Sequence, residues 1–426
     1  MKTVQSSALA DGDRTLGSRL ATAYLAAMLV GLHLIVDPRI YDVSQLPRLL
    51  ALLVGLTIAV PVVLCLPAVK CRVDGSALRS PIVAAAAAYL VACGLSLVGA
   101  INISAGFTDL FRTLAAFLVL CLGILVLPLD HRWRDRLLEM AVIATLVAVV
   151  VGGWPVATLL LEGWPSRRAV EELLLEGMMS NVNLFAGFLL LVVPWCVCGA
   201  CVFSGPWRGL ATAVGTLATI LIAVLQSRAA WLGWVAALTV TMATLLRHSQ
   251  ELAVPPAVRR SLVRGSLAAV IAALLLVGLA LTDTPAGESL RRLVVNRPHQ
   301  ADGPSDGGRT LVWGLTTQMI IDHPIGGVGA GNFPIRLHEY FGSDRQDLPP
   351  DFSRLSSHNW MQPHNDFLWV GAEKGLLGIV PFALVLLLSL LAIRTILMRS
   401  SNPTDARLAT ASLAALGGNL VFSCLD

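Results

Sequence analysis

The sequence predicts an all-α, polytopic membrane protein, and its composition, apolar runs and charge placement all point that way. Hydrophobic residues make up 56% of the chain and charged residues 14%, with a mean hydropathy of +0.73. A soluble domain has about 25% charged residues. The apolar stretches are unbroken runs of roughly 18 to 22 residues, which favours helices over the short alternating strands of a barrel. The net charge of +4 therefore does not indicate a nucleic-acid partner.

Eleven apolar segments are predicted to cross the membrane as helices. The predicted spans are 19–36, 46–66, 81–99, 109–128, 137–160, 183–203, 208–225, 229–247, 266–283, 366–391 and 407–425. Residues 1–18 form a polar tail without a signal-peptide cleavage site, so we expect the first span to be an anchor. The last span ends beside Asp426, which predicts a truncated C-terminus.

The orientation follows from the basic residues. If the N-terminus is cytoplasmic, most arginines and lysines of the short connecting segments lie on the inner side. Because such loops set orientation, the long polar segment is predicted to face outward. The chain then divides into a cytoplasmic tail at 1–18, nine helices within 19–283, an exported catalytic loop at 284–365, and two helices within 366–426.

Between Asp283 and Asn365 the chain is polar, and it holds seven arginines and five of the eight histidines. We call this segment the insert. A membrane protein that keeps such a loop between apolar spans is expected to use it, because binding and catalytic residues concentrate on loops. The insert is therefore the place where we expect the chemistry.

Arg228 is the first candidate ligand for an anion. Gln226, Ser227 and Arg228 stand between two apolar runs, which predicts a tight helical hairpin at the outer membrane face. An unpaired arginine at the bilayer centre costs about 2.5 to 3.5 kcal/mol, so this one should be paired or lie at the headgroup boundary. The alternative is an arginine that reaches lipid phosphate.

Arg309 is the second candidate. Gly307 to Ile320 have the spacing of a helix with one apolar face, which Pro324 closes and which could lie on the membrane surface. Arg309 would lie in the first turn, where a cation is unfavourable unless an anion lies beside it, and a phosphate would satisfy both. A solvent-exposed arginine is the alternative. Trp313, one turn later, could stack on a sugar or anchor the helix at the interface.

A glycine-rich turn follows, with Gly326, Gly327, Gly329 and Gly331. Its spacing is not that of a dinucleotide fingerprint, and the preceding residues do not read as a strand. We interpret it as a flexible turn whose backbone approaches a ligand, or as a purely structural turn.

His364 is the candidate base, immediately before the last long helix and beside Asn365. A neutral imidazole can accept a proton from an attacking hydroxyl without a metal. A surface histidine at a helix end is the alternative, and His358 is a second candidate base. The spacing to Glu373 and Gly375 favours His364, although Glu373 is too distant in sequence to be assumed its partner.

No metal or other cofactor is expected. The eight cysteines all fall outside the insert, so structural disulfides are not expected there. Cys196, Cys198 and Cys201 have metal-like spacing, but they lie in an apolar helix without nearby histidine or carboxylate and are interpreted as packing residues.

Four motifs together resemble the O-antigen ligase and polymerase family. They are Ser227 to Gly233, Gly308 to Trp313, the glycine turn, and His364 to Gly378, and the resemblance covers about Asn181 to Asp426. It implies a metal-independent glycosyltransferase of the bacterial inner membrane, with a site that faces the periplasm. Such enzymes move a glycan from undecaprenyl pyrophosphate to an acceptor. The family has about 12 helices, so the resemblance also implies that the last helix is missing here.

The resemblance also assigns roles. Arg228 and Arg309 would bind the pyrophosphate as catalytic residues, and His364 would orient or deprotonate the acceptor hydroxyl, with inversion at the anomeric carbon. The implied partners are the lipid-linked glycan donor, the bilayer, and an acceptor that is lipid A core, a growing glycan or a protein. Ligation is favoured over polymerisation or protein O-glycosylation. A lipid or polysaccharide transporter is the non-enzyme alternative, although its spans should be broken or polar near the midplane.

Overall fold

The computed structural model describes Tyr24 and residues 45–65, 77–126, 136–162, 182–261, 263–264, 282, 284, 306–341 and 360–425. These residues form helices and turns, with no strand among them. The predicted spans 19–36 and 266–283 lie almost wholly outside the described residues, and so does His358.

Eleven helices have both ends within the described residues, and they are numbered here in chain order. They are α1 (Gln45–Cys65), α2 (Pro81–Ser96), α3 (Ile103–Val126), α4 (Leu137–Glu162), α5 (Val182–Val202), α6 (Gly205–Val224), α7 (Arg228–Arg247), α8 (Asp306–Asp322), α9 (Phe333–Phe341), α10 (Asp366–Arg399) and α11 (Pro403–Ser423). Short 3₁₀ turns at Ala77–Arg79 and Leu97–Gly99 flank α2. The insert thus contributes α8 and α9, between seven earlier helices and two later ones.

Seven of the described helices are long and apolar enough to cross a membrane, so the chain is a helical membrane protein, as predicted. They span Pro81–Gly99, Ile103–Leu125, Leu137–Thr158, Val182–Val202, Gly205–Val224, Arg228–Arg247 and Asp366–Arg399. The predicted spans 46–66 and 407–425 do form helices, α1 and α11. They are not among the seven, because the apolar part of α1 is short and α11 carries Asp405, Arg407 and Asn419.

Two predicted boundaries were wrong. Helix α3 begins at Ile103, six residues before the predicted start, because the polar residues of its first turn continue the helix. Helix α10 runs to Arg399 and is not continuous, since Gly375 within it has φ 58° and ψ −155°. The sequence pattern did not predict this break, because the residues on both sides of it are good helix formers.

One hydrophobic core joins α4, α5, α6, α7 and α11. It includes Phe185, Leu189, Leu190, Ile222 and Leu225, all buried, and Leu425 packs against it from beyond the end of α11. Small residues allow α7 and α11 to approach closely. A Cβ atom built on Gly233 would lie 2.7 Å from the carbonyl oxygen of Gly418. Such close packing of small residues is how membrane helices associate without a hydrophobic driving force between them.

Helices α8 and α9 have a core of their own, packed against the start of α10. Its buried residues include Leu315, Met319, Phe333, Leu337 and Trp360. The Tyr340 hydroxyl of α9 donates to Asp322 at the end of α8, at 3.0 Å. Burial raises the pKa of Tyr340 to about 12, so this hydroxyl remains a donor at neutral pH. The two insert helices are therefore held as one unit at one end of the bundle, which we call the insert end.

Candidate functional site

Arg228 lies at the insert end, in the tight hairpin between α6 and α7. The hydroxyl of Ser227 caps α7 and accepts from the backbone N–H of Ala230 at 3.4 Å. Gln226 takes a left-handed conformation, with φ 53°, which reverses the chain. Arg228 is the first residue of α7 and is exposed. Its guanidinium is thus attached where the helix dipole and unsatisfied N–H groups favour an anion.

Arg309 lies in the first turn of α8, as predicted, and its side chain reaches the end of α11. Its Nη1 donates to the carbonyl oxygen of Leu425 at 2.7 Å. The carbonyls at a helix C-terminus have no partner within the helix and carry partial negative charge, so a guanidinium is a favourable partner there. This contact fixes the beginning of α8 against the end of the last helix.

His364 precedes α10 and has a left-handed backbone, with φ 56°. Its ring packs edge-on against Trp360, with the ring centroids 6.0 Å apart, and its Nδ1 is buried. The preceding residue, Pro363, accepts a hydrogen bond from the indole N–H of Trp313 at 2.7 Å. Trp313 therefore holds the segment that carries His364 against α8, one turn beyond Arg309.

Asn365 makes two contacts that set the start of α10. Its Oδ1 accepts from the backbone N–H of Leu368 at 3.0 Å, which caps the helix. Its Nδ2 donates to the carbonyl oxygen of Cys424 at 3.0 Å. Asn365 and Arg309 thus hold neighbouring carbonyls, at Cys424 and Leu425, at the end of α11.

The antiparallel packing of α7 on α11 brings Arg228 to the same place. Gly233 contacts Gly418 and Phe422, and Ala237 contacts Gly418, so the start of α7 lies at the level of the end of α11. Leu425 also packs against the core that contains Ala229. The structure therefore places the start of α7, which carries Arg228, at the level of residues 423–425, which Arg309 and Asn365 contact.

The glycine turn lies against the backbone of neighbouring protein segments. Gly327, Gly329 and Gly331 have φ values of 67°, 104° and 68°, which only glycine adopts without strain. A Cβ atom on Gly329 would lie 2.7 Å from the Cα of Ala100, and one on Gly331 would lie 2.7 Å from the carbonyl carbon of Ala105. The backbone of this turn approaches protein, which favours the structural interpretation for these three residues.

The turn supplies the hydrogen bonds that the break in α10 removes. The carbonyls of Ala372 and Glu373 accept from Val328 and Gly329 at 2.8 and 3.0 Å. On the other side of Gly375, the N–H groups of Leu376 and Leu377 donate to the carbonyls of Pro324 and Ile325, at 2.8 and 3.1 Å. A broken helix in a membrane is tolerated where neighbouring backbone satisfies it in this way.

Sequence reasoning missed a buried charged cluster beside this break. Lys374 Nζ lies 2.9 Å from Asp109 Oδ2 on α3 and 3.4 Å from Glu373 Oε2. Lys374 and Glu373 are 3% and 1% exposed. Adjacent opposite charges before a glycine, within an otherwise apolar span, are the signal that could have indicated the cluster.

The three cysteines with metal-like spacing are packed in α5. Cys196, Cys198 and Cys201 are buried, and the Cys198 thiol donates to the carbonyl oxygen of Arg407 at 3.5 Å. Over the described ranges, no group of three or more histidine, cysteine or acidic residues is placed to hold a metal ion. The absence of a metal in the reaction remains a prediction.

The described residues form a helical membrane protein whose insert end carries Arg309 and His364, and part of the chain is similar to a known family. Residues 213–383 match the family model described as O-antigen ligase. This stretch contains Arg228, Arg309, the glycine turn, His364 and the break in α10, and it confirms the family that the sequence predicted. A search of curated proteins finds no match.

Proposed function

We propose that the protein transfers a glycan from undecaprenyl pyrophosphate to an acceptor hydroxyl, at the periplasmic face of the bacterial inner membrane. The family match points to a membrane enzyme of the glycosyltransferase type. The finer statement on donor, acceptor and mechanism is supported by the chemistry of the residues at the insert end.

The observation that carries the proposal is the pair of contacts at the end of α11. Arg309 donates to the carbonyl of Leu425, and Asn365 donates to the carbonyl of Cys424. These two bonds hold a guanidinium and the His364 segment beside the start of α7, where Arg228 is attached. Guanidinium groups meet phosphate oxygens with forked, permanently charged donors, so two of them suit a pyrophosphate.

The proposed reaction is a single displacement. The acceptor oxygen forms a bond to the anomeric carbon while the bond from that carbon to the pyrophosphate oxygen breaks. Arg228 and Arg309 stabilise the negative charge that develops on the leaving pyrophosphate. The hydroxyl proton passes to His364, and since Nδ1 is buried, the acceptor would meet Nε2. The products are the acceptor joined to the glycan with inverted anomeric configuration, and undecaprenyl pyrophosphate. His364 then releases the hydroxyl proton to solvent.

The arginines make a metal unnecessary in this mechanism, because they supply the charge stabilisation that a divalent cation would otherwise give. No other cofactor is required, since the sugar is already activated by its pyrophosphate. His358 remains the alternative base, and it lies outside the described residues.

The acceptor class stays open between lipid A core, a growing glycan and a protein. Ligation, polymerisation and protein O-glycosylation use the same donor chemistry, so Arg228, Arg309 and His364 serve all three. The indole N–H of Trp313 is used to hold Pro363, and its ring face is the part that could stack on a sugar.

One observation favours a second candidate, a lipid or polysaccharide transporter. The span α10 is broken at Gly375 and has Lys374 and Glu373 buried beside the break. Broken helices with buried charges are typical of transporters. The transporter would bind the lipid-linked glycan but would leave its glycosyl bond intact, which separates the two candidates.

The test is transfer by purified protein from synthetic undecaprenyl-pyrophosphate glycan, in EDTA, with lipid, glycan and protein acceptors. We expect wild type to release undecaprenyl pyrophosphate and His364→Ala to lose about 10²- to 10⁴-fold in rate, the usual contribution of a general base. His338→Ala is the matched control, because His338 is an exposed histidine on α9. Binding of the donor without bond cleavage by wild type would instead support the transporter.

A further inference from the structure

A series of polar contacts runs from α2 to the start of α9 through Lys374, which is buried. The Cys93 thiol of α2 donates to Asp109 Oδ2 at 3.3 Å, and this oxygen lies 2.9 Å from Lys374 Nζ. Lys374 also lies over the ring of Tyr89, 5.9 Å from its centroid. Glu373 continues the series, because its Oε1 accepts from the backbone N–H of Phe333 at 3.2 Å.

The charges in this series of polar contacts are compensated only when α9 packs against the start of α10. One ammonium faces two carboxylates, those of Asp109 and Glu373. Phe333 is the first residue of α9, so the Glu373 carboxylate lies at the positive end of that helix. Buried charges that lose a partner are strongly unfavourable. Moving α9 and the glycine turn away from α10 would therefore leave a carboxylate uncompensated.

The same residues hold the backbone of the glycine turn. The carbonyl of Glu373 accepts from Gly329, and Gly327 packs so closely on Glu373 that a Cβ atom would not fit. The side chain of Asn332, fully buried, donates to the carbonyl of Ala330 at 2.7 Å and accepts from the N–H of Asn102 at 2.6 Å. The turn is thus fixed between α3 and the break in α10.

We propose that Asp109, Lys374 and Glu373 are positioning residues for the transfer reaction, forming a buried ion-pair latch that holds the insert on the first segment of α10. The inference rests on the proposed function, since its effect on transfer requires that transfer occurs. The first segment, from Asp366 to Lys374, is about 13 Å long at 1.5 Å per residue. The latch fixes its far end, and Asn365 fixes its near end beside His364.

Variants that remove a charge should rank in a particular order of kcat loss, which general destabilisation of the protein would not produce. Lys374→Met leaves the buried Glu373 carboxylate and the half-buried Asp109 carboxylate without their cation. We expect kcat to fall about 100-fold, with the donor KM changed less than about threefold. Asp109→Asn leaves Lys374 with Glu373, so kcat should fall less than about tenfold. The double variant Asp109→Asn/Lys374→Met should recover at least about fivefold in kcat over Lys374→Met alone, because a charge of each sign is removed. Arg394→Met is the matched control, an exposed cation on the same helix.

Hydrogen–deuterium exchange of each variant in nanodiscs gives a readout that is independent of activity. Lys374→Met should exchange faster at 326–341, where the glycine turn and the start of α9 depend on Glu373, with α7 unchanged. Arg394→Met should match wild type throughout. Unchanged exchange at 326–341 in Lys374→Met would overturn the latch, and so would an equal increase in α7 or a double variant no better than Lys374→Met. Wild-type protein that transfers no glycan would overturn the proposed function, while the exchange data would still decide on the latch.

Discussion

At the scale of single residues, side chains of the candidate site also stabilise the fold, because they bind backbone carbonyls at the end of α11. Arg309 binds the carbonyl of Leu425, and Asn365 binds that of Cys424. Both contacts use donors that a helix C-terminus accepts. The same contacts place the guanidinium of Arg309, which is permanently charged, beside the segment that carries His364. The fixed positions of these groups reduce the reorganisation that a charged transition state would otherwise need.

The paired N–H donors of the Arg309 guanidinium can be tested separately from its charge. Arg309→Lys keeps a cation but loses the paired donors, so we expect kcat/KM to fall about 10- to 100-fold, and Arg309→Ala to fall about 10²- to 10³-fold. Arg336→Ala is the control, because Arg336 is on α9 and pairs with Glu339 at the surface. The measurement is initial rate against donor concentration. A lysine variant equal to wild type would show that charge alone suffices.

The role of His364 as a base predicts a pH dependence. An imidazole accepts a proton only when it is neutral. We expect kcat/KM to be constant at higher pH and to fall tenfold per pH unit below the pKa of this base. In His364→Gln this fall in kcat/KM at low pH should disappear, together with most of the rate. An unchanged fall at low pH in the variant would assign the base to another residue, with His358 the next to replace.

At the scale of elements, α10 and the glycine turn form one structural device. The helix breaks at Gly375, and the turn supplies partners to the carbonyls and N–H groups on both sides. The glycines are required by φ and by the lack of space, since Gly327, Gly329 and Gly331 all have positive φ. This explains why a turn rich in glycine occurs in a loop that holds its neighbours firmly.

Two neighbouring glycines offer a matched test of this device. Gly327 has φ 67° and lies against the backbone of Glu373, whereas a Cβ atom at Gly326 would meet nothing within 4 Å. Gly327→Ala should destabilise the protein by at least about 1–2 kcal/mol, the cost of left-handed backbone alone, and lower the Tm in detergent by several degrees. Gly326→Ala should leave the Tm within a degree of wild type. Equal Tm values for the two variants would contradict the assigned packing.

At the scale of the whole molecule, helix packing determines where the site forms. The close approach of α7 and α11 at Gly233 and Gly418 sets the level of Arg228 relative to the end of α11. The core shared by α4, α5, α6, α7 and α11 supports this arrangement. The insert then attaches through α8 and through the start of α10.

Adjacent glycines in α11 test this dependence. A Cβ atom on Gly418 would lie 2.8 Å from the carbonyl oxygen of Gly233, whereas one on Gly417 would lie 3.6 Å from a methyl group of Val240, an ordinary contact. Gly418→Ala should therefore push α7 and α11 apart and lower both the Tm and the transfer rate. Gly417→Ala should change neither. Thermal unfolding and transfer rates of the two purified variants check this, and a Gly418→Ala protein with wild-type values would contradict it.

The sequence was sufficient for what is local or carried by a motif. The apolar runs predicted α2, α4, α5, α6 and α7 within a few residues, because each satisfies its backbone hydrogen bonds internally. The tight hairpin at Arg228 and the helix at Arg309 were also predicted correctly. The motifs around Arg228, Arg309 and His364 predicted the family that the comparison found.

What the sequence could not predict depends on contacts between distant residues. Asp109 and Lys374 are 265 positions apart, by subtraction of their numbers, and only the fold places them at 2.9 Å. The break at Gly375 is stable because the glycine turn satisfies it, so the residues of α10 alone do not indicate it. The carbonyls at the end of α11 carry no sequence signal, since every residue has one.

The central claim is that Arg228 and Arg309 act on one pyrophosphate, and a double-mutant cycle tests it most directly. Donor kcat/KM would be measured for wild type, Arg228→Ala, Arg309→Ala and the double variant, with Arg247→Ala as the control at the opposite end of α7. Residues that act as a unit give losses that are not additive. The loss in kcat/KM of the double variant should therefore be smaller than the product of the two single losses, by about tenfold or more. A double variant whose loss equals that product, or a single variant with wild-type activity, would contradict a shared pyrophosphate site.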